Sequence, residues 1–328
     1  MMSSPSPLRR WVERLIHRVS PVWWANLGGC SDLLARRFPT QSPPILLVAF
    51  PRSGSSWLGR LLAYADNACY LREPITQARR RWHPDVQYAV SDAGPHHAPK
   101  HYRRYADRAF AGCPAFSYAT VRTSRDWALR HRHERRVLIK EVNPFAVGWM
   151  QKHYAPTVIH LVRHPVAVAQ SMYRRGWTSQ TLREYVSPER LAESPLDPSA
   201  VPKSFWGQIG AVQGLAHRAV RQACPDDAYT AVQYETLCTD PEGMVRRLCH
   251  DVGLAWDDAS MPAAIASHSA ASGGSSSNPY STTRRSKERA AAWKNAPSEH
   301  IQAVRAGYAA THPPVYADDW ANRPVNED

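Results

Sequence analysis

The sequence predicts an α/β fold, a three-layer sandwich in which helices cover both faces of a central parallel sheet. Two patterns between residues 41 and 253 indicate it. Short runs that are apolar throughout, typical of strands buried on both faces, alternate with segments of helical periodicity. The first of these runs leads into a tight glycine-containing turn and then a helix. Alternation of this kind is typical of parallel strands joined by helices.

The elements follow in chain order. The predicted strands are residues 45–50, 137–139, 158–162 and 229–234. The predicted helices are residues 57–65, 165–175, 205–222 and 241–252. Pro165 suits the first position of its helix, because the N–H that it lacks would have no helical partner there. Gly253 suits the C-terminal cap of the last of these helices, since glycine accepts the left-handed conformation.

Composition excludes several classes of protein. Of the 328 residues, 43% are hydrophobic and 21% charged, which excludes a disordered or fibrous chain. The formal net charge of +13 indicates a polyanionic partner: a nucleic acid, an anionic membrane or a phosphorylated small ligand. The six cysteines form no C-x-x-C pair and predict reduced thiols. No signal peptide and no apolar run of the roughly 20 residues that span a bilayer is recognised, so we expect a cytoplasmic protein.

The most informative segment lies between the first strand and the first helix. It reads Pro-Arg-Ser-Gly-Ser-Ser-Trp-Leu over residues 51–58. A helix N-terminus offers unpaired N–H groups and the positive end of a dipole, which together favour a phosphate. Gly54 permits close backbone approach, and Arg52 adds a fixed charge. The loop lacks the Gly-Lys pair of nucleotide triphosphatases, which disfavours ATP or GTP hydrolysis.

This loop resembles the P-[KR]-S-G-[ST]-[ST]-W loop of sulfotransferases that use 3′-phosphoadenosine-5′-phosphosulfate (PAPS). The second half of that family's signature, a strand ending in Arg and a helix carrying a Ser eight residues later, is matched by Arg163 and Ser171. The resemblance implies that these two hold the 3′-phosphate, within a P-loop-like form of the sandwich. It implies contact with the 5′-phosphosulfate for Arg52, Ser53, Gly54, Ser55 and Ser56, and stacking on the adenine for Trp57. Packing in the core is the alternative for Trp57.

Two weaker matches extend the resemblance. Tyr234 opens a Y-E-x-L segment, which implies a place near the adenine. A basic cluster before Trp293 resembles a degenerate form of the family's C-terminal R-K-G-x-x-G-D-W-K-N segment, which covers the cofactor. It implies 3′-phosphate contacts for Arg284, Arg285 and Lys287. A solvated charged loop is the alternative for that cluster.

The resemblance also suggests the catalytic groups. Arg52 matches the cation on the leaving phosphate, and Lys140 matches a second cation near the sulfuryl group. Phenol and steroid sulfotransferases carry a catalytic His two residues after that Lys, where this chain has Val142. Glu73 lies in a Glu-Pro segment resembling that of carbohydrate and many bacterial sulfotransferases, and is the candidate general base. A salt bridge from Glu73 to Arg72 or another local arginine, or Glu141 as the base, are the alternatives.

The resemblance implies one domain over residues 41–310, with acceptor-side insertions at 76–136 and 176–204. A Ser/Gly-rich stretch predicts a mobile cofactor-covering loop at 267–292, before a tail at 311–328. Residues 1–40 predict an amphipathic helical extension that packs on the domain. Contact of that extension with a membrane surface is the alternative.

The implied function is PAPS-dependent transfer of a sulfuryl group to a hydroxyl of a sugar, nucleoside-like or other small acceptor. The products are the sulfate ester and 3′-phosphoadenosine-5′-phosphate (PAP), and no metal is expected. The chain resembles soluble bacterial members of the family more than Golgi ones. An aryl sulfate donor on the same fold, or a basic polyanion-binding region at residues 79–136, are the alternatives. The oligomeric state is left open.

Overall fold

The computed structural model describes residues 29–77, 100–113, 127–178, 191–269 and 290–316, together with Trp24, Leu27 and Val186. Within them lies one five-stranded sheet in the order β2-β3-β1-β4-β5. All neighbouring strands are parallel. The strands are β1 (Gln41–Ala49), β2 (Ala68–Arg72), β3 (Arg136–Glu141), β4 (Thr157–Val162) and β5 (Tyr229–Gln233).

Helices join and cover these strands. In chain order they are α1 (Gly29–Arg37), α2 (Ser55–Leu62), α3 (Lys100–Phe110), α4 (Val147–Tyr154), α5 (Pro165–Tyr173), α6 (Phe205–Ala223), α7 (Tyr234–Thr239), α8 (Pro241–Asp251), α9 (Met261–Ser269) and α10 (Ser298–Ala309).

The alternation of side chains along β1 explains the layers. Ile45 and Leu47 pack into a core shared with α2, α7, α8 and α9. Leu46 and Val48 point the other way, into a core shared with α3 and α4. Because both faces are covered, the central strands are apolar at successive positions rather than at alternate ones. The α/β prediction is confirmed, and the molecule is a three-layer sandwich around a parallel sheet.

Six described elements were not predicted from the sequence: β2, α3, α4, α7, α9 and α10. α3 lies inside residues 76–136, which show little periodicity in the sequence, yet Tyr102 and Ala106 on it are buried against the sheet.

The six cysteines are free thiols, five of them buried and Cys30 exposed. Tyr316, within the predicted tail, is also buried.

Trp24 and Arg132 hold the N-terminal extension to the domain at the amino edge of the sheet. Trp24 is fully buried, and its indole N–H donates to the Trp127 carbonyl at 3.0 Å. The buried Arg132 guanidinium lies over its ring, 5.0 Å from the centroid. Arg132 also donates to the carbonyls of Phe38, just after α1, and of Gly112, just after α3. Trp24 is therefore packed against the domain.

A seam of glycines joins α6 to α10 beside the sheet. A Cβ added to Gly210 would overlap the backbone oxygen of Val304, and one added to Gly307 would overlap that of Gly207. The two backbones therefore approach more closely than any side chain would permit. This contact positions the C-terminal part of the fold against α5 and α6.

We expect Gly210→Ala to lower the free energy of unfolding by about 3 kcal/mol, because overpacking against fixed backbone displaces a whole helix. Gly29→Ala is the matched control, since nothing lies within 4 Å of an added Cβ there. Urea denaturation followed by circular dichroism measures both. Equal midpoints for the two variants would contradict the close backbone contact.

Candidate active site

The candidate residues meet at the carboxyl edge of the sheet. Because the strands are parallel, the segments after Ala49, Arg72, Glu141 and Val162 all leave the sheet at this edge. Ligands of open α/β sheets bind outside the carboxyl ends of the strands. The fold thus gathers residues that lie more than a hundred positions apart in the chain.

The loop after β1 forms an anion cradle. Gly54 caps α2 with φ 95° and ψ 5°, and no side chain caps the first-turn N–H groups. The Ser53 hydroxyl is fully buried and has no hydrogen-bond partner among the described residues. A helix N-terminus with uncapped N–H groups and a buried, unpartnered hydroxyl fits a phosphate oxygen.

Arg52, Arg163 and Ser171 form a connected group beside this cradle. Arg52 has the left-handed φ of 70°, and its Nε donates to the Ser171 hydroxyl at 3.0 Å. The Arg163 guanidinium donates to the Arg52 carbonyl at 3.0 Å. Ser171 and Arg163 are 9% and 6% exposed. Two guanidinium groups and a hydroxyl are thus assembled at the ends of β1 and β4.

Tyr234 fills the space between the loop and Arg163. A Cβ on Gly54 would lie 2.5 Å from Cε2 of Tyr234, so only glycine fits there. The Arg163 guanidinium lies 4.4 Å from the Tyr234 ring centroid. Trp57 packs edge-to-face on Tyr234 with 6.0 Å between centroids and is 1% exposed. Trp57 lies in the core, as in the second of its two sequence-based interpretations.

Glu73 and Lys140 form a buried ion pair where β2 and β3 end. The second carboxylate oxygen of Glu73 accepts from Gln77 at 3.0 Å. Burial by itself raises the pKa of Glu73, but the charge and hydrogen bond of Lys140 outweigh it, so the net shift is downward. Glu73 is therefore a carboxylate at neutral pH. Its partner is Lys140 rather than the local arginine that the sequence suggested as an alternative.

Glu141 has a different role. Its buried carboxylate accepts from the Ile75 N–H at 2.7 Å and from the Thr76 hydroxyl at 2.6 Å. Desolvation raises the pKa of Glu141 to about 7. These bonds anchor the turn that follows Glu73, so Glu141 positions the Glu-Pro segment.

Glu235 is a residue of this edge to which the sequence analysis gave no role. Its partly buried carboxylate accepts from the His164 backbone N–H at 3.1 Å and from the Tyr316 hydroxyl at 2.6 Å. The His164 ring stacks on Trp293 with 3.5 Å between centroids. Desolvation, together with Arg163 and Lys294, lowers the pKa of His164 to about 3, so this ring is neutral. The segment carrying Arg163 is therefore held by Glu235, through the His164 backbone, and by Trp293, through the His164 ring.

Gln77 also went unassigned, although it follows Glu73 by four residues, the spacing of one helical turn. Several predicted features lie outside the described residues: Arg284, Arg285 and Lys287, and with them most of the predicted covering loop at 267–292. Much of both predicted insertions, 76–136 and 176–204, also falls there.

The model of the Sulfotransferase family matches residues 43–258, more than half of the chain. The chain belongs to the sulfotransferase family. The matched residues include the loop after β1, the end of β4 and the Glu73–Lys140 pair, so the sequence-based resemblance is confirmed at the level of the family.

Solved structures similar to this sulfotransferase share its fold at low identity. The sulfotransferase domain of the Synechococcus PCC 7002 olefin synthase is 17% identical, covering 81% of this chain and 94% of its own, with a TM-score of 0.44. The sulfotransferase domain from the curacin biosynthetic pathway has 15% identity, coverages of 80% and 96%, and a TM-score of 0.45. A mouse sulfotransferase complexed with PAP is 14% identical, covering 87% of this chain and 89% of its own, with a TM-score of 0.44. None of the curated proteins is significantly similar.

Among the described residues of the sulfotransferase, no helix has the length and apolarity that a bilayer span requires. No group of three or more His, Cys, Asp or Glu side chains suited to a metal ion occurs in the same part of the chain.

Proposed function

We propose that this sulfotransferase transfers the sulfuryl group of PAPS to a hydroxyl of a small-molecule acceptor and releases PAP. One observation carries the proposal. The carboxyl edge brings an anion cradle with Arg52, Arg163 and Ser171 next to the buried carboxylate–ammonium pair of Glu73 and Lys140. The reaction requires a site that binds the two phosphate groups of the donor and a group that removes the proton from the acceptor hydroxyl.

The residues present fit the donor. The cradle of Ser53 and Gly54 suits the 5′-phosphosulfate, because a buried hydroxyl without a partner among the described residues and a position closed to any Cβ lie together there. Arg163 and Ser171 suit the 3′-phosphate, where a guanidinium offers a rigid fork of donors. Arg52, held between the two, adds charge on the leaving phosphate. The ring of Tyr234 borders the space for the adenine.

Glu73 and Lys140 divide the work of transfer. Glu73 accepts the proton of the acceptor hydroxyl as its oxygen attacks sulfur and the bond from sulfur to the bridging oxygen breaks. Lys140 stabilises the negative charge on the sulfuryl oxygens, and Arg52 that on the departing phosphate. When Lys140 turns from Glu73 to the sulfuryl group, Glu73 loses the cation that lowers its pKa and becomes a stronger base.

The proposed acceptor is a sugar, a nucleoside-like compound or another small hydroxyl metabolite. A carboxylate base at the end of β2, in the Glu-Pro segment, supports this class. Gln77 and the anchor provided by Glu141 hold that segment in place. The proposal includes no metal, because the arginines and the lysine supply the positive charge that the transfer needs.

Thermal unfolding with PAP, 5′-AMP and ATP tests the donor. A ligand at 100 times its Kd adds about 2.7 kcal/mol to native stability, enough for a shift of several degrees. We expect PAP to raise the Tm and 5′-AMP at the same concentration to do so far less. No shift with PAP, together with turnover of an aryl sulfate, would favour the alternative donor.

Arg163→Ala is expected to weaken PAP binding by about tenfold or more and 5′-AMP binding by clearly less, because the charge-assisted hydrogen bond to the 3′-phosphate is lost for PAP only, whereas the contacts of Arg163 with Arg52 and Tyr234 are lost for both nucleotides. Ser171→Ala should act in the same direction with a smaller effect. Calorimetric titration of each variant with both nucleotides measures this. Equal losses for PAP and 5′-AMP would place Arg163 elsewhere than at the 3′-phosphate.

A further inference from the structure

A second concave surface lies at the opposite edge of the sheet from the proposed active site. It is a cavity of about 720 Å³ between α1 and α3. Its lining also includes Pro44, near the start of β1, and Tyr154, at the end of α4. We call it the basic groove. It shares no lining residue with the carboxyl edge, so the proposed transfer reaction does not account for it.

The charges of the basic groove are unbalanced. Five cations and two carboxylates line it. Both carboxylates already have protein partners: Asp32 lies 3.5 Å from Arg108, and Asp107 accepts from the Tyr154 hydroxyl at 2.7 Å. The remaining cations make no ion pair with a carboxylate in the described part of the chain; they are Arg36, Lys100, Arg103 and Arg104. The groove therefore presents uncompensated positive charge to solvent.

Large apolar side chains are exposed beside it. Leu33 on α1 is 68% exposed, Leu27 just before α1 is 43% exposed, and Phe38 just after it is 37% exposed. They are three of the four large hydrophobic side chains that are exposed in the described residues. Leu33 lies one turn before Arg36 and Arg37, on the side of α1 away from the buried Ser31 and Ala35. Leu33 and the groove-lining Arg36 are therefore neighbours on the exposed side of α1.

This face is rigidly framed. The buried Arg132 ties the end of α1 to the end of α3 through the Phe38 and Gly112 carbonyls. Phe110 stacks on Tyr154 with 4.2 Å between centroids, which fixes α3 against α4. The positions of α1, α3 and α4 relative to one another are therefore set by buried contacts.

We propose that α1, its flanking Leu27 and Phe38, and the basic groove form a docking surface for an anionic lipid bilayer. Cations attract acidic headgroups, and exposed apolar side chains enter the boundary between headgroups and acyl chains. A nucleic acid backbone would satisfy the arginines but leave Leu33 in water. Residues 1–23, which precede this face in the chain, add further positive charge to the protein: Arg9, Arg10, Arg14 and Arg18 against Glu13.

Sedimentation with phosphatidylcholine vesicles, with and without phosphatidylglycerol, tests the proposal on the full chain. We expect binding to the anionic vesicles only, weakened by added salt. Arg103→Glu/Arg104→Glu should weaken partitioning by about 25-fold or more, at roughly fivefold for each basic residue lost. Arg247→Glu/Arg305→Glu, on exposed positions of α8 and α10, changes net charge equally and should leave binding near that of the parent chain. Leu33→Ser should also weaken binding to the vesicles, whereas Leu33→Phe, which keeps a large apolar side chain, should bind about as well as the parent chain.

Failure to bind anionic vesicles would overturn the proposal, as would equal binding by the groove variant and the charge-matched control. Duplex DNA retention without vesicle binding would assign the groove to nucleic acid instead. A dimer that Leu33→Ser dissociates, again without vesicle binding, would assign it to a second copy of the chain. Unchanged Tm values show that the variants are folded, and none of these outcomes depends on PAP binding.

Discussion

Glu73→Gln is expected to lower kcat by roughly 100-fold or more, the usual contribution of a general base. Glutamine keeps the size of the side chain and an oxygen for the bond from Gln77, but it cannot accept the acceptor's proton. PAP affinity should stay within a few-fold of the parent enzyme, because Glu73 lies at the end of β2 and the residues proposed to bind the phosphates lie at the ends of β1 and β4. Release of PAP from PAPS, with an acceptor that supports turnover, measures the effect.

Glu141→Gln is the matched control, since Glu141 is also a buried glutamate at this edge but its carboxylate is occupied by Ile75 and Thr76. We expect it to retain turnover within about tenfold, with some loss of stability. A nearly active Glu73→Gln beside an inactive Glu141→Gln would reverse the assignment.

The pH profile separates the same two carboxylates in the parent enzyme. A base must be deprotonated to act, so kcat/KM falls as the pH drops through the pKa of the base in the free enzyme. The pKa of Glu73 is lowered from 4.5, whereas that of Glu141 is about 7. The acid limb of kcat/KM for PAPS should therefore lie below pH 4.5, and a limb near pH 7 would favour Glu141.

Gly54→Ala is expected to reduce turnover by roughly 100-fold, because a displacement of about 1 Å in a positioning loop has that effect. The new Cβ would lie 2.5 Å from Cε2 of Tyr234, and the residue would keep a φ of 95°. Either Tyr234 or the cradle must shift, and Arg163 packs on Tyr234. PAP affinity should fall together with turnover, measured by calorimetric titration and steady-state kinetics.

Gly176→Ala separates steric overlap from backbone strain. Gly176 has a φ of 69°, yet nothing lies within 4 Å of an added Cβ. Alanine in the left-handed region costs about 1–2 kcal/mol, so this variant should lose stability and keep PAP binding. A comparable loss of PAP affinity in both variants would mean that the overlap with Tyr234 is not the cause.

The sequence predicted the elements that carry strong local signals. The run from Ile45 to Phe50 is apolar throughout, and Pro165 marks a helix start, so β1 and α5 could be assigned from their own residues. β2 could not, because it is five residues long and mixes Cys69 and Tyr70 with a terminal arginine. α3 was not predicted because its arginines and lysine lie among its apolar residues and weaken the apolar pattern. Its buried side is recognised only once the helix is packed against the sheet.

The residues of the candidate site likewise fall into those that local motifs predict and those that only the fold reveals. The loop around Gly54 and the pair of Arg163 and Ser171 follow from local motifs, and the fold brings them together. The partner of Glu73 could not be predicted, because it depends on strand order: β2 pairs with β3 in a register that sets Arg72 beside Lys140, so Glu73 meets that lysine. Glu235 was missed because its partners, His164 and Tyr316, are distant in the sequence.

The two bonds accepted by Glu235 imply a thermodynamic linkage between the donor site and the C-terminal part of the chain. His164 adjoins Arg163, and Tyr316 lies beyond α10, so one carboxylate spans the proposed 3′-phosphate site and the end of the described fold. Any ligand that favours the ordered arrangement of Arg163 also favours the docked position of Tyr316, and the reverse holds by reciprocity. We therefore expect PAP, bound at the proposed site, to favour the docked position of Tyr316, and the docking of Tyr316 to favour PAP binding equally.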